Sequence, residues 1–382
     1  MKHTKSLVFF LAAFFIFLLP ILAKSQEAKT NFRKAPYLIY NANPQSMVIL
    51  WQLNESADCQ LLWSDDSLNW VALPLSKETD TSYFYKEEIE LSIPFHRYFY
   101  TVKTGSELKQ GSFMSRPKAD LQQFTFYAYG DTRTFPQNHN EVAGAVLNSI
   151  AQQPLSQTFI VSTGDVVANG NHETDWDQQF FNPAFTNIQK MLANLPYLVS
   201  MGNHEGQGQL FGKYFPFQFV DSNHFYYSFD YGNARFIALD QFASLKTNST
   251  QYQWLVNQLK ASNGKWIIIL LHKPGYSAGG HGNDKVVQKQ LQPLFEQYGV
   301  KLVLTGHNHY YARALVNGVT HITTGGGGAP LYDPDSSKKF VLYTEKTYHF
   351  CRINVSQNRL VVDVIRADGS LIESFDYIKP NL

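Results

Sequence analysis

Two patterns of apolar and polar positions divide the chain. From about residue 34 to 115, short runs alternate the two kinds (SMVILW, CQLLWS, FYKEEIEL, RYFYTVKTG, KQGSFMS), with turn residues between them at fairly even spacing. Side chains alternate faces along a strand, so these runs predict a small antiparallel β-sandwich. Residues 116–120, RPKAD, read as a linker. Beyond it, strand-like runs alternate with helical spacing. Helices are predicted over 139–153, over parts of 177–195 with a break near Pro183, over 249–262, and over 283–299. Ser249 or Thr250 is the expected cap of the third, and Gly299 ends the fourth. Strand–helix alternation predicts an α/β domain. Residues 340–378 return to strand patterning, and no internal repeat or low-complexity tract is present.

The ends of five apolar runs carry the chemistry. FTFYAYGD ends at Asp131, TFIVSTGD at Asp165, and PYLVSMGNHE holds Asn203 and His204. WIIILLH ends at His272, and VKLVLTGHNH holds His307 and His309. Carboxylate, carboxamide and imidazole bind hard-to-borderline divalent metals. Set at strand ends, they would converge on one edge of a sheet. Such a two-metal site activates a water and clamps a phosphoryl group. One Gly-Asp pair is an ordinary turn and one His is more often a packed or surface residue. The ordered set of Gly130-Asp131, Gly164-Asp165, Gly202-Asn203-His204-Glu205 and Gly306-His307-Asn308-His309 is far more specific.

Composition narrows the partners. The 382 residues fit one large domain or two, and 44% hydrophobic content supports a sizeable core. Aromatics at 15% favour strands. With 32 Lys and Arg against 31 Asp and Glu, and no basic run interleaved with aromatics, nucleic acid is not the expected partner. An anionic substrate would be held by metals, not by net charge. Lys2, Lys5, the apolar stretch from Leu7 to Leu22 and Ala23-Lys24-Ser25 read as a secretory signal peptide over 1–25. An uncleaved anchor is the competing reading, although the stretch falls just short of a spanning length. No other stretch is apolar enough to span, so no stable membrane span is expected after signal removal. Cys59 and Cys351 are too few for a disulfide framework, which leaves two free thiols or one bridge. Glycosylation sequons begin at Asn54, Asn248 and Asn354 and matter only in a eukaryotic host.

GDTR (130–133), GD (164–165), GNHE (202–205), HKPGYSAGGH (272–281), GHNH (306–309) and ITTGGGGAPL (322–331) together resemble the calcineurin-like metallophosphoesterase superfamily. The resemblance is closest to purple acid phosphatase-like proteins. It implies an α/β (α+β) chain: a fibronectin type III-like β-sandwich over 34–116, then a four-layer αββα catalytic domain over 121–382. It implies two divalent or mixed-valence ions, with Asp165 bridging them, Asp131 and His309 on the first, and Asn203, His272 and His307 on the second. A shared water, turned to hydroxide, would attack phosphorus in line. His204 would protonate the leaving oxygen, or else sit behind the ligands. His281 would bind a phosphoryl oxygen. The implied substrate is a small phosphate ester: a monoester first, a diester as the alternative. The mixed O and N donors suit Fe, Zn, Mn or Mg.

The departures from the pattern matter. The purple acid phosphatase tyrosine, three residues after the second Asp, is Ala168 here, and the Asp-x-His pair of related enzymes is Asp131-Thr132-Arg133. The first metal is therefore short of a protein ligand. Water fills the place, the metal binds weakly, or His139 swings in; all three stay open, and His139 is otherwise just a helix-start residue. Arg133 reads as a phosphate clamp, since a guanidinium forks onto two oxygens, with a surface salt bridge as the plain alternative. Asp240 could orient a histidine or cap a turn, and Tyr276, Tyr310 and Tyr311 could line a substrate mouth. His172, His224, His321 and His349 have no spacing that marks them. A surface binding protein with an impaired site is the rival reading from another class.

Overall fold

The structure is a computed structural model that describes residues 30–75, 82–121, 123–220, 224–262 and 264–379. The expected signal peptide, 1–25, lies outside the described residues. The alternating N-terminal runs form β1 (Phe32–Ile39), β2 (Ser46–Leu53), β3 (Cys59–Ser64), β4 (Val71–Leu73), β5 (Phe84–Glu90), β6 (Arg97–Thr104) and β7 (Glu107–Met114). They pair as two antiparallel sheets, in the orders β1-β2-β5 and β4-β3-β6-β7. Their buried faces join the hydrophobic core of the α/β part, so the described chain from Asn31 onward clusters as one unit.

The α/β part is built on two sheets. The first contains β8 (Phe124–Tyr129), β9 (Ile160–Ser162) and β10 (Tyr197–Val199), which run parallel. The second contains β11 (Tyr227–Tyr231), β12 (Ala234–Ala238), β13 (Trp266–Leu270), β14 (Leu302–Thr305), β15 (Tyr311–Val316), β16 (Val319–Thr324) and β17 (Val341–Glu345). The run at 340–355 splits. β17 pairs with β15 in the second sheet, whereas β18 (His349–Val355) pairs with β8 and leads β19 (Arg359–Arg366) and β20 (Leu371–Ile378) along the first.

Burial explains the layers. In β13 Trp266, Ile268 and Leu270 face the core between the sheets, while Ile267 and Ile269 join Leu255, Leu259, Leu291 and Phe295 of helices on the outer side. A strand covered on both faces must be apolar throughout, as WIIIL is. On the other side, α1 (Pro136–Gln152) and α2 (Thr186–Asn194) pack Val142, Val146, Ile188 and Met191 into the core of the first sheet. The layer order is helices, sheet, sheet, helices. Helix α3 (Thr250–Lys260) is capped as expected: the Ser249 side chain accepts the Tyr252 N–H. The predicted fourth helix is a π-helical turn, Val287–Leu291, leading into α4 (Gln292–Gln297). Both cysteines are free thiols; Cys351 is buried, and burial raises its thiol to about 12.

Candidate metal centre

All five marked runs deliver their polar residues to one place. Asp131, Asp165, Asn203 and His204 follow the C-terminal ends of β8, β9 and β10; His272, His307 and His309 follow those of β13 and β14. Parallel strands put their carboxyl ends on one edge, so the two sheets present their loops together. Main-chain bonds fix the register: Asp131 N–H donates to Gly164 O at 2.9 Å, and Gly306 N–H to His272 O at 2.9 Å. Asp131, Asp165 and His307 hold φ of 58°, 54° and 67°. Non-glycine residues adopt this left-handed region at a cost, and such strain gathers at functional sites. Gly306 and Gly202 could not be anything larger, because a Cβ there would meet an Asp131 and an Asp165 carboxylate oxygen, respectively.

Two ligand-type clusters result, sharing one carboxylate. Asp165, His272 and His307 form one, and Asp131, Asp165 and His309 form the other; in each, the ligand atoms lie within 4.8 Å of one another. Around His272 the chemistry calls for a cation. Its Nδ1 faces Thr163 O at 2.8 Å and must donate to it, which leaves Nε2 as the lone-pair nitrogen of a neutral ring. Yet Nε2 lies 3.0 Å from Asn203 Oδ1, 3.1 Å from His307 Nδ1 and 3.3 Å from Asp165 Oδ1. Acceptors converge there, and a metal ion satisfies them all. A proton is the substitute for such an ion: burial lowers the His272 pKa, but Asp165 outweighs that and raises it to about 9. Burial raises the Asp165 carboxyl, and His272 and His204 more than offset it, so Asp165 stays ionised. His309 repeats the arrangement, with Nδ1 donating to Pro330 O at 2.7 Å and Nε2 at 3.5 Å from Asp131 Oδ1.

The other expected residues divide. His204 donates Nδ1–H to Ala168 O at 2.6 Å and turns Nε2 toward Asp165 Oδ2, 3.8 Å away. The His281 ring lies 4.3 Å from the His307 ring, and its backbone N–H is held by Asn308 Oδ1 at 2.7 Å. Arg133 approaches both His309 Nε2, at 3.4 Å, and Asp165 Oδ2, at 3.5 Å.

His139 is a correction. It is fully buried, stacked on Phe180, with Nε2 at 3.1 Å from the Tyr129 hydroxyl, and it belongs to neither cluster. The helix begins at Pro136, three residues earlier than the spacing predicts, and this turns His139 into the core. Its Nε2 is committed to the Tyr129 hydroxyl and not to the clusters. Tyr310 and Tyr311 are likewise buried, donating to Gly279 O and to Glu373, and Asp240 caps its own turn through the N–H groups of Phe242 and Ala243.

Four residues that the sequence did not single out shape the site. Tyr332 stacks on His309 with ring centres 4.3 Å apart, and its hydroxyl is 3.5 Å from His281 Nε2. Glu205 is buried and accepts three backbone N–H groups, from Asp165, Val166 and Gly202. Burial pushes its carboxyl up to about 7, helped by Asp165 and opposed by those donors. Gln179, on the π-helical turn Trp176–Phe180, accepts from Thr134 N and Ala168 N at 2.8 and 2.9 Å. Asn308 holds the His281 loop. Glu205 and Asn308 carried a signal, as letters of GNHE and GHNH; Tyr332 and Gln179 carried none.

Residues 124–311 match the family model for calcineurin-like phosphoesterases. The chain is 26% identical over 343 residues to a probable inactive purple acid phosphatase 27 of Arabidopsis thaliana, covering 72% of this chain and 55% of that protein. It is 26% identical over 262 residues to a purple acid phosphatase of Glycine max, covering 62% and 54%. The chain thus spans little more than half the length of the curated relatives it matches. Its fold is similar to that of a purple acid phosphatase from yellow lupin (Lupinus luteus) seeds, with a TM-score of 0.76 and 19% identity over 91% of this chain and 75% of that one.

Proposed function

The chain carries a calcineurin-like phosphoesterase domain related to the purple acid phosphatases, and from that premise we propose that it hydrolyses phosphate esters, monoesters first. The observation that carries the reading is the pair of clusters sharing Asp165. Asp131, Asp165 and His309 would hold one ion, and Asp165, Asn203, His272 and His307 a second. Bound divalent ions supply Lewis acidity toward a phosphoryl oxygen and a water acidic enough to ionise near neutral pH.

The remaining work falls to side chains already in place. The Ala168 carbonyl accepts the His204 Nδ1–H, so a proton passed to the leaving oxygen is the second one, carried at Nε2 when the ring is doubly protonated. His281 and Arg133 flank the clusters and bind the phosphoryl oxygens. Tyr332 walls the entrance beside His309. Catalysis belongs to 121–382; the β-sheets of 34–116 serve packing. Export rests on residues 1–25, and no described helix is long and apolar enough to cross a membrane.

One observation favours a second reading, a binding protein with an impaired site: Ala168 contributes no ligand to the Asp131 cluster. The test is metal content of the purified full-length protein, with turnover of p-nitrophenyl phosphate and bis-p-nitrophenyl phosphate on the same sample. Bound metal with turnover supports the hydrolase, and the faster ester selects mono- over diesterase. Metal-free protein that stays inactive after addition of Mn, Zn or Fe overturns it. Substituting Asn203→Ala abolishes turnover under the first reading and leaves binding intact under the second.

A further inference from the structure

The two clusters are not equivalent. Around His272 Nε2 the neighbours are Asn203 Oδ1, His307 Nδ1 and Asp165 Oδ1, at 3.0, 3.1 and 3.3 Å, with no guanidinium or ammonium among them. The Asp131–Asp165–His309 cluster already has a cation at its edge. Arg133 Nη2 is 3.4 Å from His309 Nε2 and Arg133 Nε is 3.5 Å from Asp165 Oδ2. The guanidinium is thus as close to these atoms as His309 Nε2 is to Asp131 Oδ1, at 3.5 Å. It reaches there because its backbone N–H is tied to Asp165 O at 3.3 Å and because Thr134, at φ 75°, reverses the chain. The side chain is largely enclosed, and its Nε is buried without a hydrogen-bond partner. Good N–H···O bonds run to about 3.2 Å. Arg133 Nη1 donates to Thr134 Oγ1 at 3.2 Å, so the guanidinium is anchored on its own loop and reaches the cluster only through longer contacts. Ala168, three residues after Asp165, has no ligand atom in its side chain.

We infer that Arg133 is the resident cation of the Asp131–Asp165–His309 cluster, and that a metal ion enters there only by displacing its guanidinium. The inference rests on the phosphoesterase reading of the site and adds an order of assembly to it. The His272 side fills first and tightly. An ion on the Asp131 side must compete with a guanidinium and also meet the charge of the ion across Asp165. A phosphate group changes the balance, because two of its oxygens suit the guanidinium fork better than an imidazole lone pair and a distant carboxylate do. Phosphate drawing Arg133 away opens the cluster, so phosphate and the second ion bind cooperatively, each tightening the other by the same factor.

The test is calorimetric titration of the metal-stripped full-length protein with Mn²⁺, with elemental analysis after gel filtration, for wild type, Arg133→Ala, Arg133→Lys and His309→Ala. Wild type should retain one ion and take a second at least about tenfold more weakly. Arg133→Ala should tighten the second ion by about tenfold or more, with Arg133→Lys in between. His309→Ala should abolish only the weaker event, and inorganic phosphate should tighten that event in wild type. Two ions of equal affinity in wild type, or a second affinity that neither Arg133 variant improves, overturns the inference while leaving the hydrolase reading intact. No bound ion in any variant overturns both.

Discussion

Glu205 holds Asp165 by its main chain: a carboxylate oxygen of the buried glutamate accepts the Asp165 N–H at 3.0 Å, in the turn where Asp165 sits at φ 54°. The same carboxylate accepts Val166 N–H and Gly202 N–H, both at 2.7 Å, so it ties the loop after β9 to the loop after β10. Both oxygens are needed as acceptors. Glu205→Gln puts an amide NH₂ against a backbone donor and leaves a buried N–H unpaired. The expected cost is about 1–3 kcal/mol in urea denaturation, together with loss of the tighter metal ion. An unchanged midpoint with full metal retention would show that the turn holds without the carboxylate.

The range of the interactions decides which features were legible in the sequence. Strand ends were legible because buried parallel strands are apolar throughout and stop at a polar residue, as WIIIL stops before His272. The helix starts at Pro136, three residues before the spacing predicts, although proline at the first helical position is a recognised signal, and His139 therefore lies in the core and not at the helix start. Tyr332 and Gln179 had no local signature, whereas Asn308 stands inside GHNH. Tyr332 is brought onto His309 by the glycine-rich turn, where Gly327 N–H bonds Gly130 O and Ala329 N–H bonds Asp131 O. Contacts of that sequence separation leave no periodicity to read.

Lys34 is buried in β1, with its ammonium 2.6 Å from Asp177 and 3.2 Å from Glu173, and it donates to Gln52 at 2.8 Å. Arg33 contributes a second cation on Asp177 at 2.7 Å. Burial lowers the Lys34 pKa, with Asp177 and Glu173 opposing, so its charge depends on these partners. Lys34→Ala strands part of that negative charge and should destabilise the protein by about 3–5 kcal/mol. Asp177 lies on the same π-helical turn as Gln179, which binds the Thr134 and Ala168 loops, so metal retention should fall as well. Thermal unfolding and metal content of the variant measure both effects; normal stability would refute the first.

His321 and His349 make stability depend on pH away from the metal centre. Burial depresses the pKa of His321 to about 3; its Nε2 donates to Gln292 at 2.8 Å and its Nδ1 has no partner. Burial also depresses His349, to about 4, against smaller opposing effects of Thr347 O and Glu345. Both folded values lie below 6.5, the ordinary value of a solvated histidine and so of the unfolded side chain. Their stability contribution is therefore complete above that value and lost as pH falls toward the folded values. By pH 5 each should cost about 2 kcal/mol. Urea midpoints at pH 7.5 and 5 test this, and His321→Gln should flatten the slope. A midpoint that does not move would mean that these rings are protonated in the fold.

The leaving group offers the sharpest test of His204. A proton delivered from its Nε2 matters only when the departing oxygen is a poor leaving group, because an alkoxide cannot leave unprotonated whereas a nitrophenolate can. Substituting His204→Ala should therefore lower kcat by about 10²- to 10⁴-fold for an alkyl phosphate and far less for p-nitrophenyl phosphate. KM should change little for either, since the ring's Nδ1 is committed to Ala168 O and only Nε2 is available to the reaction. Placement of the loop can be separated from acid catalysis, because the His204 backbone N–H bonds Asp165 Oδ1 at 2.9 Å and survives the substitution. Equal losses for the two esters would remove the proton-donor role and leave His204 as a side chain that orders the Asp165 loop.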